Sequence, residues 1–191
     1  MKTSKNIIWS FILLVVIAAL YRIMPGRPFG FAPQWAMAVF AGAVIKDRKW
    51  AFALPVLSMF ISDLLYQGLY MAGLTTMQGF YEGQWQNYLL FTGLVFVGLA
   101  IKKLNIFQIA LASIAAPTFY FIVSNFLVWA SNGATRGLDR PKTFDGLMLC
   151  YADGIPFYRM SIFATLIFSA VLFGGYFIIR NFQAAGQEVK A

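Results

Sequence analysis

The chain has 191 residues, of which 60% are hydrophobic, 18% aromatic and only 12% charged, and its mean hydropathy is +0.71. A soluble domain carries about 25% charged residues; here there is too little polar surface to coat a globule of this length, so part of the solvent has to be lipid. There is no His and only one Cys, Cys150, and neither a Walker A pattern nor GxGxxG occurs, which excludes His-based catalysis, His-ligated metal or haem, a disulfide framework, cysteine clusters for metals and familiar nucleotide hydrolysis, so no cofactor is expected.

A membrane-crossing helix needs about 20 mostly apolar residues, with about 17 as a practical minimum. Six stretches come close, at about 7–24, 31–45, 50–65, 88–101, 106–129 and 162–179. They predict an all-α integral membrane protein: one transmembrane domain over 1–191, built as a six-helix bundle. The second stretch covers only about 22 Å at 1.5 Å per residue, against a hydrocarbon layer of about 30 Å. It is expected to borrow residues from its flanks or to sit in a protein-lined position. The N-terminus imitates a secretory signal, with Lys2 and Lys5 ahead of an apolar run. Leu20 is a poor residue for a cleavage site, however, and the next small residue, Gly26, follows a proline; the first span is expected to be retained.

Lysine and arginine in the connections predict the orientation. With both termini in the cytoplasm, the inner side holds nine bases against Asp47 and Glu188, and the outer side six against five carboxylates. Nearly all of the net charge of +8 is then topogenic. It faces anionic lipid headgroups and argues against nucleic acid as a partner. The two sides also differ in kind, because seven of the inner nine are lysine and five of the outer six are arginine. Lysine suffices as a hydrated point charge, whereas arginine offers a planar fork for carboxylate or phosphate. The chemistry of interest is expected on the outer face.

The inner connections are brief, KDRK at 46–49 and KKLN at 102–105. The first outer one, YRIMPGRPFGFAP at 21–33, has three prolines and two glycines that stop both flanking helices. Pro33 suits the start of the second span, whose free N–H groups are candidates to bind an anion together with Arg22 or Arg27; a plain loop whose arginines meet headgroups is the alternative. Trp35 follows in a helix rich in small residues at Ala36, Ala38, Ala41, Gly42 and Ala43, which serve close helix packing in lipid, inside the bundle or against another subunit. The third span ends at Asp63, a carboxylate that is costly near the membrane unless paired or wet, either with an outer arginine or with substrate. An intramembrane aspartyl protease needs a second buried carboxylate, and no other span supplies one.

The second outer segment, 66–88, carries Tyr66, Tyr70, Phe80, Tyr81, Trp85 and Tyr88 and almost no charge. It reads as an aromatic belt or as a lid whose rings stack on a flat ligand. Ser124 and Asn125 lie deep in the fifth span, before Trp129, and need hydrogen-bond partners. The last outer segment, 131–161, opens with a turn-rich strip carrying Arg140. It continues as DGLMLCYADGIPFY, with Cys150 and Tyr151, which is expected to form a short helix lying on the membrane or capping the bundle and stopped by Pro156 ahead of Arg159. Cys150 reads as a small buried hydrophobe or as a soft-metal ligand, for instance to a corrinoid cobalt.

Six short spans, a proline-rich first outer loop and an alanine-rich second helix resemble the substrate-binding (S) components of energy-coupling-factor (ECF) vitamin transporters. RPFGFAPQWAMAVFAGA at 27–43, SNFLVW at 124–129 and GLMLCYADGIPFYR at 146–159 are more closely similar to an uncharacterised bacterial family of S-component-like membrane proteins. The resemblance implies a ligand held in an outward pocket under the outer loops. It also implies a coupling membrane subunit and two cytoplasmic ATPases that drive release. Many S components dock that subunit through a small-xxx-small strip in the first span; here Ala18 is followed four residues later by Arg22.

The expected function is therefore a substrate-binding membrane component, not an enzyme, for uptake of a small, vitamin-like, partly anionic molecule. Arg22, Arg27, Asp63, Asn125, Arg140 and Arg159 are the candidate polar contacts. Trp35, Tyr81, Trp129 and Tyr151 are the aromatic ones. A non-transporting scaffold subunit of an envelope complex is the alternative. An intramembrane enzyme ranks below both, since no nucleophile–base pair can be assembled without His.

Overall fold

In a computed structural model, which describes residues 5–131 and 140–188, the chain is all-helical, with six helices: α1 (Lys5–Arg22), α2 (Gln34–Val44), α3 (Arg48–Met71), α4 (Gln84–Leu99), α5 (Ile106–Ala130) and α6 (Phe144–Glu188). Three stretches are long and apolar enough to cross a membrane, Arg48–Met71, Ile106–Ala130 and Phe144–Gln183, and two shorter apolar ones are Ile12–Arg22 and Gln34–Val44. This is a membrane protein. The turn-rich residues 132–139, with Arg136 and Asp139, lie outside the described residues, as do Lys2 and Lys190.

The tight turns are built locally. The Asp47 side chain accepts from the Lys49 N–H at 3.0 Å and starts α3. Asn105 Oδ1 accepts from the Gln108 N–H at 2.9 Å, while Gln108 Oε1 reaches back to the N–H groups of Lys102 and Lys103, both at 3.1 Å. That reciprocal cap closes the α4–α5 turn in a few residues. The longer connections 23–33 and 72–83, and residues 140–143 ahead of α6, gather at the opposite end of the bundle.

At the centre stands α2, surrounded by α3, α4, α5 and α6. At about 16 Å it is shorter than the expected span over 31–45. Residues 31–33 approach it as irregular chain, with Ala32 and Pro33 buried in protein. Its small residues are used inside: Ala36, Ala38 and Ala41 have no exposed surface. Gly42 and Gly98 meet where α2 crosses α4, and a Cβ on either would overlap a backbone carbonyl of the other helix, Val95 O or Val39 O.

Two expected boundaries move. α3 runs on to Met71, so Tyr66 and Tyr70 belong to a helix and the second loop-end connection shrinks to 72–83. Pro156 does not end a helix: α6 is continuous from Phe144 to Glu188, about 68 Å at 1.5 Å per residue. Residues 144–161 form the first part of α6, not a separate short helix. They run antiparallel to the second half of α5, with Tyr151 Oη donating to Ile122 O at 3.0 Å, Cys150 Sγ to Asn125 O at 3.5 Å, and the Tyr158 and Thr118 hydroxyls 2.9 Å apart. Tertiary contacts of this kind outweigh the single backbone bond that a proline removes.

Candidate functional site

Two adjoining lobes open at the loop-rich end, sharing Gly30, Trp35 and Tyr120 in their walls. The smaller, about 170 Å³, is lined by Arg22 at the end of α1, Arg27 from the α1–α2 connection, Gln34 and Trp35 from the start of α2, Tyr81 from the 72–83 connection and Asn87 near the start of α4. The larger, about 370 Å³, lies between α5 and α6. Its wall includes Phe121, Ser124 and Asn125 on one side and Asp153, Phe157 and Tyr158 on the other. Trp35 stands edge-on to Tyr120, with ring centres 5.6 Å apart and planes at 86°. Phe121 stacks on Tyr158 at 4.5 Å and 19°.

Behind the small lobe runs a buried polar network. Asp63, only 1% exposed, is ion-paired with Arg22, accepts from Gln84 Nε2 at 2.5 Å and from Tyr88 Oη at 2.7 Å. Arg22 also donates to Ser62 Oγ at 2.5 Å. From Gln84 the chain of bonds continues to Asn87, which donates to the Tyr81 hydroxyl and accepts from Tyr120 Oη at 2.8 Å. A carboxylate with three donors meets the requirement for a buried charge, and the network joins α1, α3, α4 and α5. Arg27 acts on the backbone instead. Its Nε donates to Arg22 O at 3.0 Å, and its Nη1 to Phe31 O at 2.7 Å and Pro28 O at 3.2 Å, which folds the proline-rich loop over the crevice. Gly30, at φ +81°, brings that loop against α6, where an added Cβ would stand 2.5 Å from Phe157 O. Among the described residues two buried side-chain atoms have no hydrogen-bond partner, Gln34 Oε1 and Trp35 Nε1.

A family model matches residues 2–186 of the chain. The chain belongs to DUF6580, a family of unknown function. No curated protein and no solved structure matches it.

Of the candidate residues, Arg22, Arg27, Trp35 and Tyr81 come together in the small lobe, and Trp35 and Asn125 in the large one. Asp63 stands behind the wall, as the partner of Arg22. The other four are not wall residues of either lobe. Trp129 ends α5, donating to Pro141 O at 2.9 Å with Lys142 Nζ 5.3 Å from its ring centre, and so ties the connection to the helix. Arg140 forks onto Asp153 Oδ2 through Nε at 3.0 Å and Nη2 at 2.7 Å. Tyr151 braces α6 against α5. Arg159 is exposed in a separate depression with Pro28 and Phe29. The needs of Ser124 and Asn125 are met within α5, both donating to Phe121 O at 3.5 and 2.8 Å.

The 72–83 connection is folded back on α3, with the N–H groups of Gly79 and Phe80 donating to Gln67 Oε1 at 3.2 and 3.3 Å. Cys150 is fully buried, and no group of three or more His, Cys, Asp or Glu that could hold a metal occurs among the described residues. Sequence reading passed over Gln34, Asn87, Tyr120 and Asp153. An uncharged polar residue at the very start of an apolar helix was the available signal for Gln34, and its counterpart for Asn87 was the QWQN run opening α4.

Proposed function

We propose that this DUF6580 chain is a substrate-binding membrane component for uptake of a small, partly anionic, ring-containing molecule, and that it catalyses no reaction itself. One observation supports the reading: a crevice at the loop-rich end joins guanidinium groups, aromatic rings and a few uncharged polar groups around Trp35. Small-molecule sites have this mixture of apolar wall and sparse, well-placed polar groups. In the orientation that goes with it, the loop-rich end faces outward from the bacterial cytoplasmic membrane. The lysine-bearing turns then lie in the cytoplasm with both termini. All six helices take part in crossing, α2 with the help of its flanks. Energy comes from separate subunits, a coupling membrane protein and cytoplasmic ATPases, since the chain carries no nucleotide motif. Because the small residues of α2 are consumed inside the bundle, a coupling subunit has to meet an outer helix face.

The test is a thermal-shift screen of the purified protein against vitamins and their precursors. At least one compound is expected to raise the unfolding temperature, with the shift lost in Trp35→Ala. No shift across the panel, together with copurification from native membranes of a fixed envelope partner without ATPases, turns the reading to the scaffold.

A further inference from the structure

The charged side chains in the two walls are of opposite sign, and this narrows the class of ligand; the inference rests on the uptake reading above. In the small lobe the wall contains two guanidiniums and no carboxylate. Asp63 matches Arg22 from behind, but Arg27 meets only carbonyl oxygens through Nε and Nη1, and no carboxylate pairs with it among the described residues. The first turn of α2 opens on the same lobe through Gln34 and Trp35, next to Ala32 of the preceding loop. Pro33 precedes it without a side-chain cap, so the positive end of the helix dipole adds to the arginines. An acidic group is the complement of such a lobe.

In the large lobe the one charged wall residue is Asp153, set among the rings of Trp35, Tyr120, Phe121, Phe157 and Tyr158. Both bonds from Arg140 go to Asp153 Oδ2, which leaves Oδ1 outside that fork. Aromatic faces beside a carboxylate favour a cationic ring. Gln34 Oε1, of the small lobe, and Trp35 Nε1, of a residue shared by both lobes, are an acceptor and a donor without partners, although buried polar groups are nearly always satisfied.

We infer that the crevice takes an amphoteric heteroaromatic acid. Its acidic group occupies the small lobe by Arg27 and the α2 N-terminus, its basic nitrogen ring occupies the large lobe by Asp153, and the link between them passes Trp35. The volumes, about 170 and 370 Å³, suit a compact acid and a small ring system in that order.

The experiment compares three probes on the full-length protein in detergent by calorimetric titration at about pH 6, where an imidazole is mostly protonated. They are 3-(imidazol-4-yl)propionate, its methyl ester, and 3-phenylpropionate. The amphoteric probe is expected to bind about tenfold or more tightly than either of the others. Arg27→Gln should erase its advantage over the ester, and Asp153→Asn its advantage over the phenyl acid. Since Arg27 also shapes the loop, the wild-type comparison stands by itself: equal affinity for acid and ester overturns the inference. Binding of a compound from the vitamin panel without binding of the amphoteric probe also overturns it, and leaves the uptake reading in place. No binding in either set removes both.

Discussion

The Arg22 guanidinium, at the end of α1, is ion-paired with the Asp63 carboxylate of α3, 41 residues away in the chain, and only the arginine reaches the crevice wall. Two residues that look in sequence like parallel ligand contacts are thus a contact and its counter-ion. The pair holds α1 against α3 while Gln84 and Tyr88 hold the same carboxylate to α4. Breaking a buried pair by removing one partner costs about 3–5 kcal/mol, because the other charge is left uncompensated. Asp63→Leu is therefore expected to lower the unfolding temperature sharply, measured by circular dichroism in detergent. Adding Arg22→Met to it should recover most of the loss. A silent Asp63→Leu would show that the pair does not hold the helices together.

The crossing of α2 and α4 gives a second test. Gly98→Ala and Gly42→Ala each put a methyl group onto a backbone carbonyl of the facing helix, which only a shift of the helix axes can relieve. A cost of about 1–3 kcal/mol is expected for each. Gly93→Ala is the control, since its Cβ would stand 3.7 Å from Phe119 Cε1, an ordinary contact. Alanine is also the better helix former by about 1 kcal/mol. Equal effects at Gly93 and Gly98 would contradict the close crossing.

Cys150 is sealed between α5 and α6. A maleimide reagent should leave the folded protein unmodified over hours and label it within minutes once it is unfolded in dodecyl sulfate. Rapid labelling of the native protein would mean that α6 leaves α5 at this level.

The proposed orientation is tested on a Cys150→Ala background. Leu74, 74% exposed in the 72–83 connection, is replaced by cysteine in one variant and Lys103, in the α4–α5 turn, in another. A membrane-impermeant thiol reagent applied to intact cells should label Leu74→Cys at once and Lys103→Cys only after the membrane is opened. The reverse pattern inverts the protein and moves the crevice to the cytoplasmic side.

Much of the architecture was legible because membrane helices announce themselves by local composition. The run at 106–129 needs no tertiary help to be helical, and it appears as α5 with one residue added. Asn105 and the lysine turn before it form their cap from neighbours six residues apart or fewer. Pro156 shows where local rules lose. As a helix breaker it predicted a stop, yet α6 passes through it because Cys150 and Tyr151 on one side and Tyr158 and Ser169 on the other are anchored along α5.

The crevice was less legible for the same reason in reverse. Arg140 and Arg159 look as suitable for a ligand as Arg27 does, but one is forked onto Asp153 and the other faces an exterior depression. Gln34 carries no local mark beyond its position; its exposure of 2% and its unpartnered oxygen exist only when α1, α3 and α4 close around α2.

By itself, then, the amino-acid order determined the lipid solvent, the approximate place of most helices, the brevity of one set of turns and the uneven spread of lysine and arginine among them. These follow from composition and from spacing along a few turns of helix. Which guanidinium meets a carboxylate, which aromatic rings line a common wall and which amide is left without a partner were decided by tertiary structure. Such pairings join residues tens of positions apart, and their free energies depend on distances and desolvation that exist only after the helices have packed.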